Sequence, residues 1–127
     1  LHAEVFIPLM KAKGQARANS GLYLQGRYEV QILDSYDNPT YPMGTAGALY
    51  GHSPPAVNAA RKPPAWQTYD LVFHAPVCNP DGTTKSPGSL TLLYNGVLVQ
   101  DHAAIVPRKT CDGSPGPLRV QDHYHPD

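Results

Sequence analysis

Apolar and polar residues alternate along most of this chain with a period of two, the period of a half-buried strand. Residues 1–8 alternate weakly and predict a strand, and residues 11–19 are small and polar and predict a loop. Residues 21–25 and 27–34 predict two strands around Gly26. In the second, Tyr28, Val30 and Ile32 share one face and Glu29 and Gln31 the other. Asp34 follows, so two carboxylates and an amide fall within six residues, more than a solvated edge usually carries. That concentration points to a site laid on a sheet. Residues 35–41 are turn-rich, with Asp37-Asn38-Pro39 the clearest signal, and 47–50 form a short apolar run read as a small strand. Residues 53–64 hold two Pro-Pro pairs and predict a loop with room for one helical turn. Residues 67–75 set Thr68, Asp70, Val72 and His74 against Tyr69, Leu71 and Phe73, another strand. After a long excursion over 76–88, residues 89–94 and 97–102 predict two strands joined by Asn95-Gly96, the strongest short-range hairpin signal. Residues 118–122 predict a last strand. Many short strands separated by turns imply an all-β, antiparallel two-sheet sandwich.

Composition narrows this picture. A chain of 127 residues implies one domain, and 14 Pro with 11 Gly argue against long helices. Ten basic and ten acidic residues give no electrostatic case for nucleic acid or an anionic membrane. No run approaches the roughly 18 to 20 apolar residues of a membrane-spanning helix. The two cysteines, Cys78 and Cys111, lie in Pro/Gly-rich loops that flank the predicted hairpin. The hairpin could bring them to one end of a sheet, and a disulfide there would imply an oxidising compartment. The alternative is two unpaired loop thiols.

Six motifs fall in one order: Asn19-Ser20-Gly21, Tyr28-Glu29-x-Gln31-x-x-Asp34, Gly47-Ala48-Leu49-Tyr50, Trp66-Gln67-x-Tyr69-Asp70, Leu93-Tyr94-Asn95-Gly96 and Leu118-Arg119-Val120-Gln121-Asp122-His123. In this order the chain resembles the 3-keto-disaccharide hydrolase family over nearly its whole length. The resemblance implies a concanavalin-like, glucanase-type jelly roll. It also implies outer strands before residue 1 and after 123, so residues 1–127 are expected to be the central portion of one such domain. Those strands would come from elsewhere in the protein or from self-association. The implied activity is cleavage of a glycosidic bond in a 3-keto disaccharide or glucoside, outside the cytoplasm or in the periplasm. Two other functions compete: a non-catalytic carbohydrate-binding module of the same fold, and a structural subunit of an extracellular assembly.

The spacing Glu29-x-Gln31-x-x-Asp34 resembles the Glu-x-Asp-x-x-Glu of laminarinase-type glycosidases. Retaining hydrolysis needs two carboxylates about 5 to 5.5 Å apart, and here the central acid is an amide. A 3-keto sugar offers another route: its ketone acidifies the C2 proton, a base removes it, and the C1 substituent is eliminated. Glu29 and Asp34 are the catalytic candidates, with Glu29 as base and Gln31 as its hydrogen-bonding partner. Gln31, Gln121, Tyr23, Tyr50, His123 and Glu4 are candidates for sugar binding, the tyrosines as stacking platforms. Asp122, His123 and His125 could hold a divalent metal, and no other cofactor is implied. His74 reads as a structural strand-end residue, Trp66 as a core anchor with a sugar-stacking platform as the alternative, and Asn19-Ser20-Gly21 as local structure.

Overall fold

The computed structural model of this chain describes residues 1–124. It is all-β, with helix confined to two short 3-10 turns, Gly14–Ala16 and Pro42–Gly44. The strands are β1 (His2–Ile7), β2 (Ser20–Leu24), β3 (Tyr28–Ile32), β4 (Ala65–His74), β5 (Val77–Cys78), β6 (Thr84–Ser86), β7 (Gly88–Tyr94), β8 (Val97–Ile105) and β9 (Arg119–Val120). One antiparallel sheet has the order β1-β4-β7-β8 and the other β3-β2-β9, while β5 and β6 form a separate hairpin inside the long excursion. The jelly-roll sandwich read from the sequence is the observed fold class.

Period-two patterning explains the layers. Leu22, Leu24, Tyr28, Val30 and Ile32 project from the three-stranded sheet into the core. Tyr69, Leu71, Leu90, Leu92 and Tyr94 meet them from the four-stranded sheet. Stacked Tyr69 and Tyr94, with ring centroids 4.7 Å apart, fill the centre. Tyr69 donates its hydroxyl proton to the Gln31 carbonyl (3.3 Å), joining the two sheets beneath the outer face of β3.

Turn chemistry sets the registers. Asn95 (φ 51°) and Gly96 (φ 77°) form the two-residue β7–β8 turn, with Tyr94 opposite Val97. Positive φ at both turn residues matches the right-handed twist of the strands. The Asn95 side chain also accepts from Thr68 N–H (2.8 Å) and donates to Gln67 Oε1 (2.7 Å), locking the turn to β4. Gln25 (φ 54°) and Gly26 (φ 65°) make the β2–β3 turn.

Several details depart from the sequence reading. Residues 53–64 contain no helical turn. Residues 47–50 are not a full strand, yet they run along β3: Gln31 N–H donates to Ala48 O, Gly47 N–H to Gln31 O and Tyr50 N–H to Glu29 O, each at 2.9 Å. Buried Gln100 holds this segment from below, donating to the carbonyls of Gly47, Ser53 and Pro54. Trp66 is no core anchor. It is 56% exposed because it shares strand parity with Thr68 and Asp70 on the outer face, where it packs edge-on against Phe6. Cys78 and Cys111 are joined by a disulfide, which ties the β5–β6 hairpin to the loop leading into β9. β1 and β9 each lie at the edge of their sheet. Among the described residues no helix is long and apolar enough to cross a membrane.

Candidate functional site

Strand alternation places Glu29 and Gln31 on the outer face of the three-stranded sheet, opposite Tyr23 and Gly21 of β2. A pocket of about 300 Å³ lies over this face, lined by Gln15, Asn19, Glu29, Gln31, Tyr41, Tyr50, Gln121 and His123. One polar wall comes from the loop before β2. Asn19 Nδ2 donates to the Gln15 carbonyl (2.7 Å), and Gln15 Nε2 donates to Thr40 Oγ1 (2.7 Å) and Gly44 O (3.0 Å). Gln31 is 1% exposed, and its Nε2 is shared among Gln15 Oε1, Asn19 Oδ1 and Gly44 O at 3.3–3.4 Å. These long, divided bonds leave the amide oriented and only loosely committed.

The opposite wall follows β9. Gln121 N–H donates to Gly21 O (2.9 Å) and Ser20 Oγ donates to Gln121 O (2.7 Å), which fastens the segment alongside β2. Gln121 Nε2 then reaches the Tyr23 hydroxyl (3.3 Å), while its buried Oε1 has no partner among the described residues. A buried amide oxygen without a partner is costly, and a ligand hydroxyl would satisfy it.

Glu29 lies between the two walls. A Cβ at Gly21 would stand 2.9 Å from Glu29 Cγ and 3.0 Å from Cδ, so a glycine on β2 is what lets this side chain lie across the sheet. Burial raises the Glu29 pKa above its ordinary value, while a hydrogen bond from Tyr23 and the charge of His123 oppose the rise. Tyr23 is itself pushed up to about 12, first by burial and then by Glu29. Across the mouth, the Tyr41 and Tyr50 hydroxyls are 2.8 Å apart. That bond, followed by burial, raises Tyr41 to about 12.

The structure thus gathers Glu29, Gln31, Gln121, Tyr50 and His123 at one pocket, with Tyr23 bonded to Glu29 and Gln121. It places Asp34 and Glu4 elsewhere. Asp34, just past the end of β3, is 3% exposed. Its Oδ2 sits 2.8 Å from Arg17 Nε, and its Oδ1 accepts from Tyr36 N–H (3.1 Å). Glu4 is on β1 in the other sheet, exposed and 3.5 Å from His2. His74 ends β4, likewise exposed and away from the pocket. Asn19, read as local structure, also lines the pocket. Gln15 and Tyr41 carried no sequence signal, because they come from a 3-10 turn and from the residue before one, where no period operates. Of the metal candidates, His125 lies outside the described residues. Among the described residues no three His, Cys, Asp or Glu side chains gather to hold an ion.

Comparison with known proteins agrees with this architecture. A candidate glycosyl hydrolase of Parabacteroides distasonis has a crystal structure that superposes with a TM-score of 0.90 at 38% identity. The match covers 96% of this chain and 55% of that one, so this chain spans about half that protein's length. A second candidate glycosyl hydrolase of the same organism matches with a TM-score of 0.50 at 17% identity, over 80% of this chain and 60% of its own, a likeness of fold alone. No functionally curated protein matches the chain at a significant level. The sequence profile of 3-keto-alpha-glucoside-1,2-lyase-like domains matches residues 1–126, and the chain belongs to that family.

Proposed function

We propose that this domain cleaves 3-keto-α-glucosides by elimination, with Glu29 as the base. The observation that carries the reading is a half-buried carboxylate, the only one among the described residues that lines a small pocket of amides, phenols and one imidazole. A volume of about 300 Å³ lies at the lower end for small-ligand sites and suits a single sugar ring. Amides and hydroxyls satisfy sugar hydroxyls, and tyrosine rings accept the apolar face of a pyranose. A mechanism with two carboxylates finds no second one at the pocket among the described residues, and Asp34 is engaged by Arg17 and Tyr36 N–H.

The elimination uses what is present. Glu29 takes the C2 proton, and the C2–H electron pair moves toward C3 so that the ketone becomes an enolate. Gln31 and Asn19 line the same pocket as Glu29, and their amides are the donors assigned to that oxygen. The enolate then collapses, C1=C2 forms and the C1–O1 bond breaks. The products are an unsaturated 3-keto sugar and the freed alcohol. The raised pKa of Glu29 suits this task, since a carboxylate that holds a proton more tightly is the stronger base. The Cys78–Cys111 disulfide supports an oxidising location, extracellular or periplasmic, for the reaction.

The test is Glu29→Gln, which keeps size and most hydrogen bonding but removes the proton acceptor. Formation of the conjugated enone from a 3-keto-α-glucoside is expected to fall by about 10²-fold or more, with sugar affinity nearly unchanged. Unchanged turnover would remove Glu29 as the base. Binding without turnover in the unmutated protein would replace the reading with that of a carbohydrate-binding module.

A further inference from the structure

We propose that the Tyr41–Tyr50 pair is the acid that protonates the departing oxygen, with Tyr50 as donor and Tyr41 as its support. The inference rests on the elimination reading and completes it, since Glu29 accounts for the proton removed from C2 and leaves the one gained by O1 without a source. An alkoxide is a poor leaving group, so expulsion of a sugar alcohol calls for a proton delivered as the C1–O1 bond lengthens.

Proton accounting makes this pair a source. Each phenol carries one proton. Their mutual bond at 2.8 Å uses one of the two, and among the described residues neither hydroxyl has another partner. One proton therefore remains to be offered at the mouth of the pocket. The other polar groups of the lining are placed differently. Gln15 and Asn19 are bonded to each other and to backbone, and an amide cannot give up a proton at neutral pH. Tyr23 is committed to Glu29 and Gln121.

Both tyrosines are braced. Tyr50 N–H donates to the Glu29 carbonyl (2.9 Å), so acid and base are carried on directly paired backbone. The Tyr41 ring lies against Gly44, where a Cβ would stand 2.7–2.8 Å from its Cζ and Cε2. The two rings meet edge-on, with centroids 6.4 Å apart. Tyr41 is 47% exposed and Tyr50 41%, so the pair borders solvent where an alcohol can leave.

The step balances. As C1–O1 breaks, its electron pair goes to O1, and Tyr50 Oη gives its proton to that oxygen. The resulting Tyr50 phenolate accepts the Tyr41 hydroxyl proton as a hydrogen bond and regains its own proton from water. Glu29 returns the C2 proton to solvent, and no redox partner is involved.

Leaving-group dependence tests the proposal. Methyl 3-keto-α-glucoside expels an alkoxide, whereas the p-nitrophenyl analogue expels an anion that needs no proton. For Tyr50→Phe, kcat on the methyl substrate should fall by about 10²-fold while kcat on the nitrophenyl substrate changes by less than about threefold. Tyr41→Phe should show the same selectivity with a smaller loss, and it carries the test if Tyr50→Phe fails to fold by thermal melting. Equal losses on both substrates would overturn the acid role and leave Tyr50 a stacking residue. If the unmutated protein eliminates neither substrate, the elimination reading itself falls, and the acid role with it.

Discussion

Glu29 and Asp34 lie at opposite ends of one short stretch of chain, and their surroundings could hardly differ more. Asp34 has an arginine, a backbone N–H and almost no water. Its own N–H donates to Arg17 O (3.0 Å) and its carbonyl accepts from Asn38 Nδ2 (2.7 Å), so it organises two loops at once. Glu29 has one phenol, the field of His123 and a pocket. Both are carboxylates in a glycosidase-like spacing, but one is saturated and the other is still available to a ligand. The difference follows from strand parity. Residues 29 and 31 share the outer face of β3; an odd step of five to residue 34 leaves that face, and the strand has already ended at Ile32.

The sharpest way to break this contrast is to remove Asp34. Asp34→Ala strands Arg17, whose side chain is only 15% exposed, and is expected to cost about 3–5 kcal/mol of stability, read by denaturant unfolding. Glu29→Gln, in contrast, should leave stability within about 1 kcal/mol, because its partners are few. Equal destabilisation by the two variants would erase the distinction.

A gentler probe leaves both carboxylates intact. Gly21→Ala inserts a methyl group where the Glu29 side chain lies. The strand backbone is compatible with alanine, so the flexible carboxylate should yield and the fold should not. Turnover is expected to drop by about tenfold, the scale of a modest misplacement of a reacting group, with little change in melting temperature.

The smallest effect is a pH signature. Because the folded-state pKa of Glu29 is raised, the native protein binds more protons than the unfolded chain between the ordinary glutamate value and the raised one. The stability of the unmutated protein relative to Glu29→Gln should therefore decline as pH rises through that window. Turnover should rise over the same window as the base ionises. Unfolding midpoints and kcat/KM measured across pH 4 to 8 check both slopes.

How much was legible beforehand divides along the same line. Period-two alternation and Asn95-Gly96 disclosed the sheets, and the parity of residues 28–32 disclosed which face carries Glu29 and Gln31. Trp66 was misread because a single tryptophan suggests a core anchor, although the alternation of its own strand already sent it outward. Gln15 and Tyr41 could not be read. Their positions depend on contacts with Thr40 and Gly44 that only the folded loops create. The surroundings of Asp34 could not be read either, because spacing records distance along the chain and is blind to a guanidinium from residue 17.

The fastening of Gln121 to Ser20 and Gly21 has a consequence for how the protein is made. These bonds join residues about a hundred positions apart. Closing so long a loop is entropically expensive and becomes favourable only after intervening structure has drawn the ends together. On the ribosome, Glu29, Gln31 and Tyr50 emerge long before residues 119–123. The nascent domain can therefore begin to pack its core while its pocket still lacks a wall, and the pocket is complete only once residues 119–123 have docked.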